Sequence, residues 1–260
     1  MLGELVAEAE RRASVIQAGP LPDVSDLAKR GAPIDFAAAL SKPTVAVIAE
    51  IKRRSPSKGS LNESLRAGLR AQQYAAGGAS ALSVLTEPSR FGGSMEDLAE
   101  VRSSVAIPIL RKDFIVRAVQ LYEARAGGAD AVLLIARALE PSRSDELARE
   151  ANAIGLAVLF EVRDEAELAR AIAVPGCAIG VNARNLETLE MDPSVSERLI
   201  PLIPPERAAV FESGIDGLAH VERAARLGAD AVLVGSMLSR HADGQAAVAG
   251  ISTVVRVTRG

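Results

Sequence analysis

At 260 residues the chain can bury one large core without a second domain. Its net charge of −3 supplies no basic field for nucleic acid, and its single cysteine, Cys177, excludes an intramolecular disulfide. No apolar stretch approaches the roughly 18 residues of a membrane span, and the charged start, Met1-Leu-Gly-Glu-Leu-Val-Ala-Glu-Ala-Glu, lacks a signal-peptide core. A soluble cytoplasmic protein with no nucleic-acid or membrane partner is expected.

Residues 1–43 read as an amphipathic helix over about 2–17, a Pro-rich turn, and a short helix near 35–40. This extension either covers one end of the fold or rims the mouth of a site. Short apolar runs bounded by turn residues then predict buried parallel strands near 45–51, 80–86, 107–112, 131–136, 156–161, 178–182, 208–212 and 231–235. Helical patterns alternate with them near 63–76, 95–104, 117–127, 142–154, 164–173, 193–200, 216–227 and 243–250. One phrase recurs: Ala76-Gly-Gly-Ala-Ser-Ala-Leu-Ser-Val-Leu, Ala126-Gly-Gly-Ala-Asp-Ala-Val-Leu-Leu-Ile, and Leu227-Gly-Ala-Asp-Ala-Val-Leu-Val-Gly. In each, a helix ends, glycine turns the chain and a strand begins. The spacing of Gly78, Gly128 and Gly228 places these strands second, fourth and eighth. Eight strand–helix alternations predict an α/β protein, a closed (β/α)8 barrel over 44–260 with an N-terminal helical extension. The C-terminal Val254-Val-Arg-Val-Thr-Arg-Gly reads as a surface segment.

Six polar side chains end five of these runs: Glu50, Lys52, Lys112, Glu161, Asn182 and Glu212. A barrel builds its site from such strand ends, so these six are the catalytic candidates. Glu50 and Lys52 are two apart on a strand and share a face, with Ile51 turned toward the helices. Side by side at a barrel mouth they either tune each other's protonation or form a structural ion pair. Ser55-Pro-Ser-Lys-Gly reads as a mobile loop whose serines, or Lys58, touch substrate. Lys112 in a narrow pocket would lose hydration, which lowers its pKa toward that of a general acid. A surface pair with Asp113 is the alternative, against which strand alternation argues. Glu161 is a base or a partner for either lysine. Gly214, Gly235 and Ser236 lie in turns after strands seven and eight, where barrels present backbone N–H groups to phosphate. Cys177 reads as a small buried hydrophobe. No metal or cofactor motif is present, and none is expected.

Ala49-Glu-Ile-Lys-Arg-Arg-Ser-Pro-Ser-Lys-Gly resembles the opening motif of the indole-3-glycerol phosphate synthase family of tryptophan biosynthesis. The resemblance continues through Leu85-Thr-Glu, Pro108-Ile-Leu-Arg-Lys-Asp-Phe-Ile, Phe160-Glu-Val, Ile179-Gly-Val-Asn-Ala-Arg-Asn-Leu, Glu212-Ser-Gly-Ile and Val234-Gly-Ser-Met-Leu. It implies a decarboxylating lyase acting on a phosphorylated small molecule. Lys112 is then the general acid for ring closure and Glu161 the general base. Lys52 touches phosphate or carboxylate and is a credible second acid, and Asn182 and Glu212 bond substrate hydroxyls. Ser55, Arg184 and Ser213 are further substrate contacts. Phe114, Leu133 and Ile215 would wall an aromatic slot, or serve as ordinary core. Two departures stand out: Ala183 replaces a usually polar residue, and Arg54 makes the basic run heavier than usual. A different phosphosugar barrel isomerase and a non-catalytic barrel subunit are the competing readings. A monomer is expected.

Overall fold

The computed structural model describes residues 1–19, 27, 31–57 and 59–259. The expected Pro-rich turn and Lys58 lie outside these. Among the described residues the fold is a closed barrel of eight parallel strands. They are β1 (Ala46–Ile51), β2 (Ala81–Leu85), β3 (Ile109–Lys112), β4 (Ala131–Ile135), β5 (Ala157–Val162), β6 (Ala178–Asn182), β7 (Ala209–Glu212) and β8 (Ala231–Val234). Closure is explicit in β1, which pairs Ile48 with Ala81 of β2 and Ala46 with Ala231 of β8. The strands are apolar at successive positions because helices cover one face and the barrel interior fills the other.

Helix ends follow local chemistry. Asp164 accepts from Glu167 N at 2.9 Å and opens the helix Glu165–Ala173, and Pro141 starts Pro141–Ala153. The helix expected over 243–250 is observed as Gly244–Ala249, preceded by a separate short helix, Ser236–Arg240. A further short helix, Pro88–Phe91, was not anticipated. It exists because Glu87 accepts backbone N–H groups of Ser89, Arg90 and Phe91 at 2.8–3.1 Å.

The repeated Gly-Ala-Asp phrase has a mechanical role. Gly128 and Gly228 take left-handed φ values of 94° and 86°, which end the preceding helix at low steric cost. The aspartate that follows enters the next strand and clamps its neighbour. Asp130 Oδ2 accepts from Ile109 N, and Asp230 Oδ2 from Ala209 N, both at 2.8 Å. These clamps sit at the end of the barrel opposite the strand tips that carry the candidate residues.

The extension touches both ends. Its helix Leu2–Ala18 lies at the upper rim, where Arg12 grips Asp113 through two bonds of 2.9 and 2.8 Å and Met1 lines the cavity. Farther along, Ile34 N donates to Asp130 Oδ1 at 2.7 Å at the lower end. The C-terminal segment exposes Val255, Val257 and Thr258. Elsewhere it is latched. Val254 O accepts from Val45 N at 2.8 Å, Arg256 N donates to Pro43 O at 2.9 Å, and Arg256 and Arg259 pair with Asp230 at 2.7 and 2.8 Å. Its valines read as surface, but its arginines seek the carboxylate left at the barrel end.

Asp230→Ala would leave the buried Arg259 guanidinium with backbone carbonyls but no counter-charge, and an Ala209 N–H without its carboxylate acceptor. Loss of one partner of a buried pair is expected to cost about 3–5 kcal/mol. Urea unfolding checks this, and a variant as stable as the parent would remove the clamp from the account.

Candidate active site

The upper strand ends enclose a cavity of about 410 Å³, in the range of small-molecule sites. All six strand-tip candidates line it, as do Ser55, Phe114, Leu133, Arg184, Ser213, Gly214, Ile215, Gly235 and Ser236. Among the described residues, no group of three or more His, Cys, Asp or Glu side chains is placed to hold a metal ion.

Alternation on β1 brings Glu50 and Lys52 to one face, where their charged ends meet at 2.5 Å. Glu50 is buried, and it fits because residue 235 is glycine. A Cβ there would stand less than 3.0 Å from Glu50 Oε1 and 3.0 Å from Lys52 Nζ. The rest of the basic run turns away: Arg53 pairs with Asp97 and donates to Leu65 O at 3.0 Å, while Arg54 pairs with Glu63 at 3.1 Å. Arg54–Ser55 and Gly59–Ser60 form a small antiparallel hairpin, with Ser55 Oγ and Ser57 Oγ 3.1 Å apart at the cavity wall.

Lys112 is the centre of the charge arrangement. Its Nζ donates to Glu161 Oε2 at 3.2 Å and stands 3.6 Å from Glu212 Oε2. The expected lowering of its pKa is overturned. Burial does act downward, but Glu161 and Glu212, then Glu50, outweigh it, and the ammonium titrates above the ordinary lysine range. Asp113 does not compete for Lys112. It is held by Arg12, by Arg111 at 3.1 Å and by Thr86 at 2.7 Å, bonds that lower its pKa against the opposing effect of burial.

The Glu212 carboxyl behaves oppositely. Burial first, then Glu161 and Glu50, push it up to about 8, with Lys112 opposing. Its Oε1 has no hydrogen-bond partner among the described residues. Asn182 orients Glu161 by donating Nδ2 to Oε1 at 3.1 Å. Its own Oδ1 accepts from Arg184 N at 2.9 Å and Ser213 Oγ at 2.8 Å. Ser213 adopts a left-handed φ of 68°, rare for a residue with a side chain, and Gly214 follows at 76°. Arg184 donates to Leu189 O at 2.8 Å, and burial lowers its pKa.

Phe114, Leu133 and Ile215 form buried wall as well as core. Sequence reasoning missed Phe91, Leu186, Leu189 and Met191, which add apolar wall. Glu87-Pro88 was a readable helix start that would have located Phe91; the loop residues carry no such signal. Cys177 lies elsewhere, donating to Ala171 O at 3.3 Å, and burial raises its thiol to about 11. It is core.

A family model described as indole-3-glycerol phosphate synthase matches residues 5–251. The chain belongs to the indole-3-glycerol phosphate synthase family. Among its relatives, an indole-3-glycerol phosphate synthase of Mycolicibacterium gilvum is 46% identical over 248 residues, covering 95% of this chain and 90% of the relative. One from a Nocardioides species is 54% identical over 202 residues, 78% of each chain. Indole-3-glycerol phosphate synthase 1 of Streptomyces coelicolor is 49% identical over 241 residues, covering 92% and 88%. The solved 3-hexulose-6-phosphate synthase of Salmonella typhimurium shares the fold, with a TM-score of 0.65 at 16% identity over 80% of this chain and 97% of that one. Among the described residues no helix is long and apolar enough to cross a membrane.

The cavity has a pH signature. The folded Glu212 carboxyl keeps its proton to about pH 8, whereas its ordinary value is 4.5. Stability from this group is full below the unfolded value and is lost as pH rises through the folded one. Glu212→Gln stays neutral throughout, so its stability relative to the parent should grow between about pH 5 and 8. Melting curves across that range check this; a constant difference would refute the shift.

Proposed function

We propose that this chain converts 1-(2-carboxyphenylamino)-1-deoxyribulose 5-phosphate to indole-3-glycerol phosphate, carbon dioxide and water, in tryptophan biosynthesis, with Lys112 as general acid. The observation that carries the reading is the Lys112 ammonium held at the cavity floor, 3.2 Å from Glu161 and 3.6 Å from Glu212. Glu161, which accepts its hydrogen bond, does most to keep it protonated before substrate arrives. It is then a full cation facing the position of the ribulose carbonyl.

The aromatic carbon bearing the carboxylate attacks that carbonyl. Charge developing on the oxygen is met by the ammonium, which delivers its proton to form the hydroxyl. Loss of carbon dioxide returns the electron pair to the ring. The hydroxyl then leaves as water with acid assistance, and Glu161 removes the last proton. The bond from Asn182 to Glu161 Oε1 supports that role, since it fixes the carboxylate while Oε2 accepts from Lys112 and regains a free lone pair once Lys112 has given up its proton. Lys52, paired with Glu50, is the second acid for dehydration. Neutral Glu212 can donate to a substrate hydroxyl, which an ionised carboxylate could not do.

Binding follows the same geography. The turns at Gly214 and at Gly235-Ser236 offer backbone N–H groups to the phosphate, near the Lys52 ammonium. Arg184 and Ser55 take the remaining polar contacts, and Phe114, Leu133 and Ile215 receive the anthranilate ring. The chain's own residues complete the cavity, which supports a monomer as the working unit. A small phosphorylated substrate of biosynthesis supports a cytoplasmic location.

A fluorescence assay of indole-3-glycerol phosphate with the purified chain and the carboxyphenylamino-deoxyribulose phosphate tests the activity. Lys112→Ala removes the cation beside Glu161 and Glu212 and should lower stability; in the fraction that melts as a folded chain, turnover should fall about 10²–10⁴-fold, the usual worth of a positioned acid. Near-normal turnover would take Lys112 out of the mechanism.

A further inference from the structure

Gly180 stands on β6 two residues before Asn182, so both face the barrel interior. Its φ is not among the left-handed values, so the backbone there does not call for glycine. A glycine inside a strand loosens it and marks a place where another group comes close. The group here is the Glu212 carboxyl. A Cβ on residue 180 would fall less than 3.0 Å from Glu212 Oε1, 3.1 Å from its Cδ and 3.3 Å from Leu159 Cδ1. This is the same Oε1 that has no hydrogen-bond partner among the described residues. The oxygen is held by shape, with nothing bonding it in place. The other oxygen, Oε2, faces Lys112 at 3.6 Å, and Glu161 is the register neighbour of Gly180 on β5.

We infer that Gly180 is a positioning residue of the reaction: its missing side chain is the seat of the Glu212 carboxyl and sets that carboxyl's distance from Lys112. The inference rests on the roles proposed above for Lys112 and Glu212. A methyl group at 180 would overlap the carboxyl and displace it, and its other oxygen is the one that stands 3.6 Å from Lys112. The obstacle is the far end of a flexible side chain, so the barrel can accept the methyl group while the site does not. Gly235 makes the same kind of room for Glu50, but it also sits in a phosphate turn. Gly180 isolates the seating effect.

The test is a set of five chains: parent, Gly180→Ala, Glu212→Asp, Gly180→Ala with Glu212→Asp, and Gly180→Ala with Glu212→Gln. Misplacement on the order of 1 Å in a reacting site costs about 10²-fold. Gly180→Ala should therefore lose about that much in kcat with little change in KM. Aspartate is one methylene shorter and withdraws from the added methyl group, so the double variant should regain about tenfold over Gly180→Ala alone. Glutamine keeps the full length and should not rescue. A Gly180→Ala kcat within about twofold of the parent, or losses that simply multiply in the double variant, would overturn the inference. If Gly180→Ala does not fold, the double variant with aspartate must fold and melt near the parent, and its failure to do so is equally fatal. If the parent makes no indole-3-glycerol phosphate, the functional reading fails by itself. Melting temperatures of the five chains then still decide the seat: non-additive values for the aspartate pair support it, and additive values overturn it.

Discussion

A charged lysine can stand on the floor of an apolar barrel only if opposite charge stands with it. Removing an ammonium from water costs several kcal/mol, which must be offset by well-placed partners. Lys112 meets this condition with Glu161 and Glu212 close by and Glu50 behind them. Three carboxylates near one ammonium are more than it needs, and burial sharpens the excess. One of them, Glu212, is driven toward its neutral form, while Glu50 is met separately by Lys52. The polar shell then serves orientation. Asn182 fixes Glu161, Ser213 and the Arg184 backbone fix Asn182, and the left-handed turn at Ser213 and Gly214 brings the hydroxyl into reach.

The two ends of the barrel divide the work. At the lower end, Asp130 and Asp230 bind strand starts, the extension and the C-terminal segment into one collar. Asp130 and Asp230 are each met there by arginine and by backbone N–H groups, which makes this end a frame. At the upper end, charges are answered just enough to be buried and still face a cavity. This separation is general in the fold, where strand C-termini carry chemistry and strand N-termini carry stability. The Arg12–Asp113 pair belongs to the upper end, tying the first helix of the extension to the residue that follows Lys112.

Much of this was legible in the chain as text. Strand period alone put Glu50 beside Lys52 and turned Asp113 away from Lys112, since neighbours on a strand take opposite faces. The repeated glycine phrase numbered three of the strands. The direction of the Lys112 shift was not legible, because burial and neighbouring charge oppose each other and only distances say which prevails. The latched arginines of the C-terminal segment were hidden for a similar reason. Their partner, Asp230, is remote in sequence and adjacent only once the barrel closes.

By itself, then, the order of residues determined the alternating elements, the closed barrel they predict, and the set of side chains delivered to the strand tips. Those follow from local rules of period, turn chemistry and apolar run length, which act over a few residues. Tertiary structure decided the electrostatics and the clearances. It placed three carboxylates around one lysine, raised the pKa of Glu212, and set that carboxyl where a side chain at residue 180 would stand. Charge interaction and steric contact depend on distances between strands, and no pattern along a single strand encodes those.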